Sequence, residues 1–416
     1  MTPPLVSVVI PTRNRKEFLQ DALRSVVQQT YKNLQIIVHD NNSSDGTKEY
    51  IDDLIQDPRV EYHVSNTDLP MVENWNAAFS YVKGEYFVRL DDDNIYYPDF
   101  IESAVEQIHK HYLASISYAS LIVHLEHRLQ LLFMPTSDVH VLSPEESIYL
   151  EYFALTDSNY TLYSTVVIRE IFRNENAYQT TLPDRYMNYR IADSIDELHL
   201  RVGVTTAVKA ITRFDYRPRI SPDRSMFSFK NYLAVQPETV RSAMDCQDNF
   251  AMHRICTLWF FRDDVENVRI REYIDSHLTS KKLYRTAMLM GEIAQMRIAY
   301  SFAEIRIMYQ YAVNVLWDLF RNTSERIEHE YAWVMIISFT RDTLLRTGAS
   351  IAVILTGKKR SGEIVDKRFG DAIVQRALRG EYVSTSGMRP IHGSLRALLD
   401  SIRVESRKTR EATAQA

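Results

Sequence analysis

The sequence predicts an α/β protein: a mostly parallel sheet flanked by helices, with an α-helical region after it. Short apolar runs of strand length alternate with helical patterns over residues 1–125, as they do where crossover helices join parallel strands. Several of these runs stop abruptly in clusters of polar residues, as buried strands do on reaching the rim of a sheet. Beyond Tyr232 the character changes, and long amphipathic patterns follow one another with almost no glycine until Gly348.

Taken in order, Val6 to Ile10 is an apolar run stopped by Pro11, hence a buried first strand. Glu17 to Gln29 is a helix, because Phe18, Leu19, Ala22, Leu23, Val26 and Val27 share one face at helical spacing. Leu34 to Val38 is the second strand, Gly46 to Ile55 a helix and Val60 to Val64 the third strand. Pro70 to Val82 is a helix, Tyr86 to Leu90 the fourth strand, and Pro98 suits the first turn of a helix running to Lys110. Strand patterns then cover Ala114 to Leu125, Leu129 to Met134 and Tyr160 to Ile168. A helical stretch from Pro183 to Arg201 leads into a strand from Val202 to Ile211. Tyr284 to Leu319 and Glu328 to Leu345 read as long helices.

Composition bounds the function. With 25% charged and 45% apolar residues, this is an ordinary globular composition. Two cysteines, Cys246 and Cys256, make no disulfide scaffold or zinc pattern and fit a reducing compartment. There is no secretory leader pattern, and no apolar run reaches the ~18–20 residues of a membrane span. Residues 1–339 carry 34 Lys and Arg against 46 Asp and Glu, whereas residues 340–416 carry 15 against 8. An acidic body with a basic C-terminal stretch suggests an anionic partner, a membrane surface or a phosphate-bearing acceptor. No nucleic-acid module signature is present, so nucleic acid is not an expected partner.

The chemistry gathers at three strand ends. The first strand ends in Pro11, Thr12, Arg13, Asn14 and Arg15, and the second in His39, Asp40 and the turn-forming run to Gly46. The fourth ends in Asp91, Asp92 and Asp93. Three adjacent carboxylates repel one another unless something positive is close, and a divalent cation with oxygen ligands and substrate phosphates is one answer. A solvated acidic turn before a helix is the plainer alternative. Asp40 can accept hydrogen bonds from a nucleobase edge, or serve as a turn residue. Arg13 and Arg15 can neutralise a diphosphate, although for Arg15 a solvated surface position is the favoured reading.

The segments VSVVIPTRNR (6–15), IIVHDNNSSDGT (36–47), NWNAA (74–78) and GEYFVRLDDDN (84–94) resemble the inverting family 2 glycosyltransferases of the GT-A fold. The resemblance is strong over residues 1–125 and looser to about residue 230. It implies a transferase that moves a sugar from a nucleotide-sugar donor, UDP first with GDP and dTDP open, to a glycan or lipid-linked saccharide acceptor. It implies Asp40 on the base and Pro11, Thr12, Arg13, Asn66, Asp91 and Asp92 along the donor. Asp91 and Asp93 would hold a divalent metal, Mn²⁺ or Mg²⁺. It also implies a carboxylate general base at the start of a helix in the second half of the domain, assigned to Asp193, then Asp196, then Glu197. The sequence departs from the family at Tyr216 to Arg219, where Arg219 replaces a histidine, and at Thr67-Asp68 after Asn66.

These readings divide the chain into a catalytic domain at 1–235, a helical C-terminal domain at 236–356 and a basic, partly flexible tail at 357–416. The expected setting is the cytoplasm, with peripheral contact on the inner face of the membrane and a homodimer through the C-terminal helices as further options. A non-catalytic module binding nucleotide sugars or glycans is the alternative. A nucleotidyltransferase would want a glycine-rich loop after the first strand, which Pro11 to Arg15 lacks.

Overall fold

The computed structural model describes most of residues 2–214 and of 372–404, together with single positions at 344 and 351. By contact the chain divides into two compact units, Met1–Phe214 with Phe369–Ala416, and Asp215–Arg368. The long helices expected between Tyr232 and Leu345, both cysteines, and Tyr216 to Arg219 lie outside the described residues.

The expected alternation holds. Strand β1 (Val6–Thr12) leads to helix α1 (Lys16–Val27), β2 (Leu34–Asp40) to α2 (Thr47–Leu54), and β3 (Val60–Val64) to α3 (Met71–Ser80). Then come β4 (Tyr86–Arg89), a two-residue β5 (Ile95–Tyr96) and α4 (Phe100–His111). The second half adds β6 (Ser115–His124), β7 (Leu129–Gln130), β8 (His140–Leu142), α5 (Pro144–Glu151), β9 (Thr161–Ser164), α6 (Thr165–Ile171), α7 (Pro183–Asp193) and β10 (Val202–Phe214). The described strands form one mixed sheet in the order β3-β2-β1-β4-β9-β6-β10-β5, with β7 on β6 and β8 on β10.

Strands β1, β2 and β4 are buried along their whole length, which is why they read as continuous apolar runs rather than alternating ones. Strand β1 is parallel to β2, with Thr12 opposite Asp40, and parallel to β4, with Val9 opposite Arg89. That register brings the three polar strand ends together on one rim. Entry to β4 is tight: a Cβ on Gly84 would lie 2.6 Å from the Tyr86 carbonyl and 2.7 Å from the Ser7 nitrogen. Only glycine lets the backbones approach so closely.

Four differences from the sequence reading have physical reasons. Tyr160 to Ile168 is not one strand, because β9 ends at Ser164 and α6 begins at Thr165. The helix from Pro183 ends at Asp193, and residues 194–199 are turns. Strand β5 was not expected, since two residues carry no periodicity and it exists only through pairing with Ala210 and Ile211 of β10. Finally, residues 372–378 are helical and place Ile373, Val374, Ala377 and Leu378 against Ile95, Tyr97, Val123 and Ile211. This part of the expected tail is packed on the sheet; its charged composition hides a short apolar face.

Candidate functional site

The rim beyond β2, β1 and β4 is built by side chains that bond across it. Thr12 Oγ1 donates to Asp92 Oδ2 at 2.8 Å. Arg15 donates through one guanidinium nitrogen to Asp92 Oδ1 at 2.8 Å and through the other to Asp93 Oδ2 at 2.7 Å. Arg89 pairs with Asp91, donates to Ser158 Oγ at 2.9 Å, and lies 3.7 Å from the centre of the Trp75 ring. Asn159 holds Asp91 on two sides, accepting from its backbone nitrogen at 2.7 Å and donating to its Oδ2 at 2.9 Å.

The positive charge that the aspartate triplet requires is therefore supplied by the chain itself. The side chain of Arg15 is 28% exposed and held in two ion pairs, so the solvated reading favoured from sequence is wrong. Burial would lower its pKa, and the carboxylates of Asp92 and Asp93 more than reverse that, leaving it raised. Asp92 is the buried member of the triplet. Desolvation pushes its pKa up, to about 7, against the opposing pull of Arg15.

Asp40 sits at the end of β2, buried, with Oδ1 accepting from the Ser43 nitrogen at 2.9 Å and Oδ2 from the Tyr62 hydroxyl at 2.5 Å. Burial, then the bond to Asp40, raise the pKa of Tyr62. Beside it His39 bonds Asn74 at 2.7 Å, and burial lowers its pKa. The loops after β1 and β2 are zipped together: Ser44 N donates to Asn14 Oδ1 at 2.8 Å, Asn14 N to Ser43 Oγ at 2.8 Å, and Lys16 N to Asp45 Oδ2 at 2.8 Å. Asn14 and Asn42 take positive φ there, at 50° and 57°, a conformation asparagine tolerates better than most residues. Pro11 is buried in β1, while Arg13 is exposed and pairs with Asp68. Asn66 is exposed just after Ser65, whose nitrogen donates to the Asp40 carbonyl at 2.9 Å.

Asp91 and Asp93 are the more open members of the triplet. Their side chains keep 33% and 20% exposure while that of Asp92 keeps 5%, so the outer two reach solvent. Among the described residues no three His, Cys, Asp or Glu side chains form a cluster fit to hold an ion. A divalent ion bound by two carboxylates would take its remaining ligands from phosphate and water, the usual habit of Mg²⁺.

Asp193 is the last residue of α7 and Asp196 lies in the turn after it, as does Glu197. The chain then enters β10 at Val202, opposite Ser115, whereas the triplet neighbours the far end of β10, near Ile211 and Arg213. Helix α7 also lies beside residues 158–160, whose Asn159 holds Asp91. The acidic residue at the start of α7 is Asp184, directly after Pro183.

The family model described as "Glycosyl transferase family 2" matches residues 7–136. An uncharacterized glycosyltransferase of Haemophilus influenzae is 32% identical over 126 residues, covering 30% of this chain and 39% of that protein. A Campylobacter jejuni protein named GalNAc(5)-diNAcBac-PP-undecaprenol beta-1,3-glucosyltransferase is 39% identical over 93 residues, 22% of this chain and 30% of that one. The chain thus spans well under half the length of either relative. Among solved structures, Staphylococcus aureus TarS 1–349 with UDP-GlcNAc has a TM-score of 0.44 at 14% identity, covering 91% of this chain and 93% of that one. The Pyrobaculum calidifontis mannosyltransferase PcManGT with GDP-Man and Mn²⁺ has a TM-score of 0.43 at 14% identity, covering 83% and 88%. Scores at this level do not align individual residues.

Proposed function

We propose that this chain, a family 2 glycosyltransferase over residues 7–136, moves a sugar from a nucleotide-sugar donor to a glycan or lipid-linked acceptor with inversion. The observation that carries the reading is the single rim on which Asp40, Thr12 and the Asp91–Asp93 triplet meet, with Thr12 and Arg15 both bonded to the triplet. In an open parallel sheet this is where a ligand binds.

Each residue has a task. Asp40 accepts a nucleobase N–H; both its oxygens already accept one bond, but each has a second lone pair to offer. Arg13 and Arg15 supply positive charge to the diphosphate, with Pro11, Thr12, Asn66 and Asp92 framing the donor. Asp91 and Asp93 would hold Mn²⁺ or Mg²⁺. When bound, that ion stabilises the negative charge on the departing diphosphate. A carboxylate base takes the proton of the acceptor hydroxyl as its oxygen attacks the anomeric carbon from the face opposite the nucleotide. The bond from that carbon to the phosphate oxygen breaks, and the nucleoside diphosphate leaves. Asp184, at the start of α7, is the favoured residue for this role, with Asp193 and then Asp196 as the alternatives.

A lipid-linked acceptor is favoured because the Campylobacter relative carries undecaprenol in its name, and because residues 340–416 are net basic. The proposed setting is the cytoplasmic side of a membrane, in assembly of a cell-surface glycan. No described helix is long and apolar enough to cross a membrane. The test is donor turnover: the protein with Mn²⁺ is incubated with UDP-, GDP- and dTDP-sugars, with and without a polyprenyl-phosphate-linked saccharide. Acceptor-dependent nucleotide release, with an inverted anomeric proton coupling in the product, is expected. Binding of donor without any turnover would favour the non-catalytic module.

A further inference from the structure

We propose that Arg213 is a positioning residue for the Asp91–Asp93 turn, and that the C-terminal segment 372–383 completes its support. Arg213 lies near the end of β10 with its side chain 11% exposed. Its Nε donates to the backbone oxygen of Asp93 at 2.6 Å, and one terminal nitrogen donates to Asp21 Oδ2 at 2.9 Å. The other donates to the Phe18 carbonyl at 3.3 Å, and its backbone nitrogen donates to Asn94 Oδ1 at 3.3 Å. One guanidinium thus joins α1, β10 and the turn that carries the candidate ligands. Phe18 lies between this guanidinium, 5.0 Å from the ring centre, and that of Arg15, at 5.1 Å. Arg15 holds the triplet by its carboxylates and Arg213 holds it by its backbone.

The C-terminal segment bears on the same turn from the other side. Its helical residues 372–378 cover Ile95 of β5, which follows the turn, and Ile211 of β10, two residues before Arg213. Tyr382 stacks on Tyr97 with ring centres 4.2 Å apart and bonds Asp99, and the Val383 nitrogen donates to the Tyr97 hydroxyl at 3.2 Å. Lys209 pairs with Asp99 and donates to the Tyr382 hydroxyl at 3.0 Å. Gln375 reaches Asp21 at 3.4 Å, a long contact that adds little by itself. A two-residue strand such as β5 has little stability of its own. The segment therefore keeps β5 on β10, and so fixes the turn before it.

The inference rests on the proposed donor site only for its consequence, not for its geometry, and the test separates the two. Hydrogen exchange of the full chain is compared for wild type, Arg213→Met and Tyr382→Ala. Both variants are expected to lose protection over residues 91–97, while β1 and β2 keep theirs. Unchanged protection at 91–97 in either variant, or equal loss throughout β1 and β2, overturns the proposal. The functional consequence is read by titration of UDP with Mn²⁺: Arg213→Met weakens binding by ~10-fold, and Arg213→Lys, which lacks the three-armed guanidinium, restores little of it. Full binding by Arg213→Lys, which would reduce the role to a point charge, or by Arg213→Met overturns the positioning role. If wild type binds no nucleotide, the proposed function fails, and the exchange result still decides this inference.

Discussion

Arg89 and Asp91 stand two residues apart at the end of β4 and pair through their side chains, with the arginine 1% exposed and the aspartate 33% exposed. Asp91 lies just past the end of β4, and Asn159 holds it in place for this pairing by accepting from its backbone nitrogen at 2.7 Å. The pairing sets an unusual order of sensitivities. Asp91→Ala leaves a fully buried cation without its carboxylate and is expected to cost about 3 kcal/mol of stability. Arg89→Met leaves a carboxylate that reaches solvent and retains Asn159, and should cost about 1 kcal/mol. Denaturant unfolding of both variants checks this; an equal or reversed order contradicts it.

Asp92 gives the protein a pH-dependent stability of definite sign. Its folded pKa is raised from 3.8 to about 7, chiefly by burial, so between those values the folded state holds a proton that the unfolded chain has released. Stability from this group therefore falls as pH rises through that window, by at most about 1.4 kcal/mol per unit. Asp92→Asn removes the titration. Thermal melting from pH 4 to pH 8 should show the variant gaining on wild type as pH rises, and parallel profiles would refute the assignment.

Tyr62 and Asp40 separate stability from recognition. Tyr62→Phe removes one hydrogen bond to the carboxylate and should cost about 1 kcal/mol, with UDP affinity within ~3-fold of wild type. Asp40→Asn should weaken UDP binding by ~10-fold or more, because an amide no longer offers two equivalent acceptors to the base. Calorimetry on the two variants distinguishes them; equal affinities would remove Asp40 from the nucleobase.

The assignment of the base is tested by a pair of variants. Asp184→Asn should lower turnover by ~10²–10⁴-fold while leaving donor affinity intact. Asp193→Asn should leave turnover within ~3-fold. The opposite pattern would return the role to the end of α7.

The parallel core and the convergence of Asp40, Thr12 and the triplet were legible because each depends on local pattern and one topological rule. Runs such as Val6 to Ile10 and Leu34 to Val38 are buried on both faces, and parallel pairing puts their ends on one rim. What escaped was set by distant partners. Arg15 reads as a surface arginine until Asp92 and Asp93, almost 80 residues away, come beside it. Strand β5 depends on β10 and Arg213 on Asp93, each more than 100 residues away in the chain, and the packing of 372–378 depends on an apolar face of four residues in a charged stretch. The end of α7 was not legible either, because its helical pattern continues through Asp193 into the turns beyond.

The most direct measurement is calorimetric titration of UDP and GDP, with and without Mn²⁺, into wild type and Asp93→Ala. Metal-enhanced micromolar binding of one nucleotide, lost in the variant, is the result expected of a rim that holds a nucleotide-sugar diphosphate through Asp91 and Asp93. Absence of binding by either nucleotide under every condition would contradict the account.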